Sequence, residues 1–110
     1  QDTPLVKLWD KDGDNVLAYL REDLIFVYNF HPTNSYRDYG IPAPEGEYKI
    51  ILNTDDVNFG GFGLNDDSIH HFTLYDPLYA PHNKGRLMLY LPARTAMVLK
   101  LVENELKTIE

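Results

Sequence analysis

Apolar residues along the chain come in short runs cut by turn-forming residues. "PLVKLW" (4–9) is followed by the polar "DKDGDN" (10–15) and then by "VLAYL" (16–20), a hairpin pattern in which Asp12-Gly13 is expected to supply a positive backbone angle. "DLIFVYNF" (23–30) is a strand ended by "HPTN" (31–34), because Pro32 has no N–H to donate and holds His31 in an extended geometry. "SYRDYGI" (35–41) is extended, and "PAPEG" (42–46) is expected to turn. In "EYKIILN" (47–53), Tyr48, Ile50 and Leu52 share one face, while Lys49 and Asn53 take the other. The stretch 54–68 is too rich in glycine and acid for a regular element; 69–75, 86–91 and 95–102 again look like strands, and 103–110 a solvated tail. No stretch sustains a helical period. About eight short strands with turn signals between them predict an all-β, antiparallel β-sandwich of Greek-key type.

Two of these strands break the usual rule. A sandwich strand with one wet face alternates apolar and polar residues. Here Leu24, Phe26, Tyr28 and Phe30 oppose Ile25 and Val27, and Leu87, Leu89 and Leu91 oppose Met88 and Tyr90. Apolar side chains on both faces predict a cover for the outer one, from a loop of the chain or from a neighbouring domain. They also predict an exposed apolar patch built from these strands or from Phe59 and Phe62.

The 110 residues suit a single domain (1–110) large enough to bury a core. Forty-four per cent hydrophobic and 13% aromatic residues argue against disorder. The absence of cysteine removes disulfide and thiolate chemistry and suits a reducing compartment, here the cytoplasm. No apolar run reaches the roughly 20 residues of a membrane-spanning helix. Opening on Gln1 suggests a piece of a longer protein. With 17 acidic and 10 basic residues the net charge is −7 and no basic cluster occurs, so no nucleic-acid partner is expected. Neutral sugars and other protein domains remain open.

Candidate chemistry is sparse. His70 and His71 are adjacent, so a strand points them to opposite faces; His31 and His82 sit beside prolines, and no zinc spacing appears. His31 reads as structural. "DKDGDN" imitates a calcium loop, but its glycine is fourth rather than sixth and the twelfth residue is Arg21. Asp55-Asp56 and Asp66-Asp67 are most simply solvated. Neither a nucleophile elbow nor a phosphate loop is present. "GGFG" (60–63) reads as a tight loop carrying Phe59 and Phe62. Trp9 and the eight tyrosines could form a sugar platform, although aromatic rings are more often core.

The order of pieces is more specific than any one of them. "NFHPTNSYRDY" (29–39), "NTDD" with "FGGFG" (53–63), "HHFT" (70–73) and the "LYLPARTA" and "VLK" ending (89–100) closely resemble the C-terminal domain of 1,4-α-glucan (glycogen or starch) branching enzymes, from about Val16 to Lys100. The resemblance implies a parent of the α-amylase superfamily with an N-terminal sandwich, a central (β/α)8 barrel and this all-β end. Such enzymes cut an α-1,4 glucan and transfer the segment to a 6-hydroxyl, using carboxylates of the barrel. A barrel needs about 250 residues, so no catalytic residue, metal or cofactor carries over onto this chain. The expected role is to stabilise and dock the barrel, with Phe59, Gly60, Gly61 and Phe62 as candidate docking residues and α-glucan as a further contact. Relatives of this kind often have Arg after the glycine unit and His beyond it, where this chain has Leu64 and Asp67. The alternatives are a free-standing carbohydrate-binding module using Trp9, and an independent small enzyme with converging titratable groups.

Overall fold

The computed structural model describes residues 3–56, 58 and 60–103. Beyond Glu103 the expected tail lies outside the described residues. Eight strands follow in order: β1 (Val6–Lys11), β2 (Val16–Arg21), β3 (Leu24–Asn29), β4 (Tyr36–Pro44), β5 (Glu47–Asn53), β6 (His71–Phe72), β7 (Lys84–Leu91) and β8 (Thr95–Leu101). A 3-10 turn, Ala80–His82, precedes β7. Six strands form one antiparallel sheet in the order β1-β2-β3-β8-β5-β6, and β4 and β7 pair as the second layer. This is the antiparallel sandwich that the spacing predicts.

The core fills the space between the layers. Ile25 and Val27 of β3, Met97 and Leu99 of β8, and Tyr48 and Ile50 of β5 meet Ile41 and Ala43 of β4 and Leu87, Leu89 and Leu91 of β7. Each large aliphatic among them contributes about 1.5–3 kcal/mol by leaving water. Tyr48 is 1% exposed, and its hydroxyl donates to the Pro44 carbonyl at 2.7 Å, so its one polar atom is satisfied.

Several local expectations are corrected. The β1–β2 connection is a four-residue turn in which Asn15, at φ 58°, takes the left-handed position rather than Gly13. Asn15 N donates to Lys11 O at 3.0 Å, and the side chains of Asn tolerate that region. Residues 42–44 do not turn; β4 runs through Pro42 to Pro44, because its only partner is β7 and an edge strand tolerates proline. The register of β5 shifts between Ile50 and Leu52. The bulge inverts the alternation, leaving Leu52 46% exposed and burying Asn53 to 2%.

The span 69–75 shrinks to the two residues of β6 because it must change sheets. His71 and Phe72 pair with Tyr48 and Glu47, while Leu74 already bridges Arg86 on β7. It thus closes one seam of the sandwich. The opposite seam is closed where Trp9 donates its indole N–H to the Tyr39 hydroxyl at 2.8 Å, and that hydroxyl donates to Asp14 Oδ2 at 2.7 Å.

Candidate functional site

Four connections gather at one end of the sandwich: the β1–β2 turn, the β3–β4 loop, the glycine loop after β5 and the β7–β8 turn. Buried Asn29 ties two of them together. Its amide donates to the carbonyls of Asn34 (2.9 Å), Leu91 (3.0 Å) and Pro92 (3.2 Å), and its Oδ1 accepts from His31 N at 3.0 Å. His31 Nδ1 then accepts the main-chain N–H groups of Thr33 (3.1 Å) and Asn34 (2.9 Å), so this histidine shapes the loop, as expected.

The glycine loop is organised by Asp55, which is not solvated but 3% exposed. The chain folds back over it: Phe62 N and Leu64 N donate to its carboxylate, and Gly63 N donates to its carbonyl at 2.7 Å. A carboxylate that accepts main-chain N–H bonds is compensated in the interior. The wrap also explains "GG". A Cβ on Gly61 would lie 2.2 Å from Asp55 O, and Gly60 has φ +81°. Asn53 supports the turn by accepting Asp55 N at 3.0 Å on its Oδ1, although its own buried Nδ2 finds no partner among the described residues.

Of the docking residues expected from sequence, Phe59 lies outside the described residues. Gly60 is exposed, Gly61 is half-buried, and Phe62 stands 83% exposed at the rim of a shallow depression of about 310 Å³ that Thr54, Asp55 and Arg94 also line. A second depression, of about 390 Å³, lies between Arg37, Asp38, Leu64 and Tyr90.

The expected exposed rings and strands separate in the structure. Leu87, Leu89 and Leu91 are buried, whereas Phe30 is 59% exposed. The sequence reading missed Ile69, Phe72, Leu74, Tyr75 and Leu78, all exposed along the seam that β6 begins. Trp9 is half-buried against the core, with its N–H spent on Tyr39, so it is no open platform.

The titratable groups are engaged locally rather than gathered. Among the described residues no three His, Asp or Glu side chains converge as metal ligands would. His70 Nδ1 sits 2.6 Å from Glu47 Oε2, while His71 turns inward, and burial lowers its pKa against the raising effect of the Met88 main chain. Burial pushes the hydroxyls of Tyr39 and Tyr48 up to about 12, with the Asp14 carboxylate adding to the shift at Tyr39. Among the described residues no helix is long and apolar enough to cross a membrane.

Comparison with known proteins agrees with this architecture. The family described as alpha amylase, C-terminal all-beta domain matches residues 9–102. The 1,4-alpha-glucan-branching enzyme 2-2, chloroplastic/amyloplastic, of Arabidopsis thaliana is 44% identical over 95 residues, covering 86% of this chain and 12% of the relative. The 1,4-alpha-glucan-branching enzymes of Emericella nidulans and Saccharomyces cerevisiae are 40% and 41% identical, each covering 84% of this chain and 14% and 13% of the relative. The chain therefore spans about an eighth of the length of these relatives. It belongs to the alpha-amylase C-terminal all-beta domain family.

Proposed function

We propose that this chain is the non-catalytic C-terminal domain of a 1,4-α-glucan branching enzyme, with residues 1–110 as one unit that stabilises and docks a catalytic barrel elsewhere in the polypeptide. The observation that carries the reading is the shape of the match: 84–86% of this chain aligns with only 12–14% of branching enzymes. The use of its carboxylates supports it. Asp55 wraps a loop, Asp14 holds a tyrosine and Glu47 holds His70. Glycoside chemistry instead needs two carboxyl groups about 5–10 Å apart across an open cleft. A parent in a reducing compartment, the cytoplasm, suits a chain without cysteine.

The test is amylose branching, read as loss of iodine staining and gain of α-1,6 linkages. The full-length polypeptide should branch amylose, and the 110-residue chain alone should leave it unchanged. Branching by the chain alone would overturn the proposal.

A further inference from the structure

The outward face of the six-stranded sheet carries an apolar band that crosses four adjacent strands. Tyr19 lies opposite Phe26, Phe26 opposite Val98, and Val98 opposite Leu52. These positions alternate with buried Ala18, Ile25, Val27, Met97 and Leu99, so they point away from the core. A neighbouring row sets Leu17 against Tyr28 and Tyr28 against Ala96, and the Tyr28 ring stacks on Phe30 at 5.4 Å with planes 4° apart. Four strands span roughly 14 Å, and cross-strand apolar pairs of this kind belong to a covered surface rather than to a wet one.

One border of the band is basic in a chain whose net charge is −7. Arg21 lies opposite Leu24, Leu24 opposite Lys100, and Lys100 opposite Lys49. Like charges directly opposite each other on a sheet repel. Within the described residues Lys100 has only Asp23, at 4.0 Å, and Lys49 has no ion-pair partner. A carboxylate brought up by whatever covers the band would relieve that pair.

We infer that this outward face is the surface by which the domain docks onto the rest of its own polypeptide, against a surface that is apolar at its centre and acidic along the Lys49–Lys100 border. The inference rests on the proposed reading of the chain as one part of a branching enzyme. The size of the remainder favours that occupant, since the chain accounts for only 12–14% of its relatives' length. Among its described residues the glycine loop offers one exposed ring, Phe62, where the sheet offers a continuous band.

Single-cysteine labelling in the full-length polypeptide tests it, because this chain has no cysteine of its own. Leu52→Cys and Val98→Cys report on the sheet face, and Phe62→Cys and Leu78→Cys on the loop and the seam. Maleimide incorporation is read on the tryptic peptide that carries each new thiol, relative to the same peptide in urea, with retained branching activity certifying the fold. The two sheet positions should label at least about tenfold more slowly than Leu78→Cys, at micromolar and at nanomolar protein alike, since a thiol must be reached to react.

Open sheet positions beside a protected Phe62→Cys or Leu78→Cys would overturn this face while leaving domain docking intact. Equal, fast labelling at all four would overturn both. Protection lost on dilution would assign the face to a second copy of the chain, and protection only with added maltoheptaose would assign it to glucan; either result overturns the inference.

Discussion

Asn29 is a short side chain in which one amide serves three carbonyls contributed by two loops. Removing it strands those acceptors in the interior, so Asn29→Ala should cost about 2–3 kcal/mol, read as a lower urea midpoint with an unchanged m-value. His71 adds a pH term of definite sign. Burial holds its folded pKa below that of the unfolded chain, so its contribution is complete above the unfolded value near 6.5 and is lost as pH falls through the folded value. Unfolding midpoints should drop between pH 7.5 and pH 5.5, and His71→Gln should remove part of that drop. An unchanged drop in the variant would sink this assignment. At this scale the sequence was partly legible. His31 beside Pro32 read correctly as structural, because the proline fixes the local geometry. Asp55 read as solvated, because nothing local shows that a loop nine residues long folds back to supply N–H donors.

Elements were legible where period-2 patterning and pairing agree, as in β2, β3 and β8. They were misjudged where pairing overrides pattern. Pro42 and Pro44 look like turn residues until β4 is known to be an edge with a single partner. Leu52 looks like core until the bulge in β5 turns it outward. The glycine loop is open to a test by a single change. Gly61→Ala places a methyl against the Asp55 main chain, so it should release the loop, cost about 2 kcal/mol or more, and open 54–68 to proteolysis. Unchanged protease resistance would contradict the wrapped-loop account. The β1–β4 seam has its own test. Tyr39→Phe breaks both the Trp9 and the Asp14 hydrogen bonds and should cost about 1–3 kcal/mol by equilibrium unfolding. It should also reduce the loss of stability as pH rises from about 10 to 12, the interval over which these tyrosines ionise in the unfolded chain while burial still holds Tyr39 and Tyr48 neutral in the folded one.

At the scale of the whole molecule, the two-faced apolar strands were the most informative feature of the sequence, because no sandwich facing water on its outer side has reason to repeat apolar residues on both. The structure divides that signal. The β7 strand spends Leu87, Leu89 and Leu91 in the core, while the second face of β3 continues through β8 to Leu52 as an outward band. The split of six strands against two was not visible in sequence, since it depends on β8 returning to lie between β3 and β5. On the proposed reading, the domain holds the catalytic part of its parent polypeptide through that band. The most direct measurement is the thermal inactivation of the full-length polypeptide carrying Val98→Glu, followed by branching activity. The account expects near-normal initial branching at low temperature together with an inactivation temperature lowered by several degrees, about the effect of 1–2 kcal/mol in a folded unit of this size. An inactivation temperature identical to that of the unmodified enzyme would contradict it.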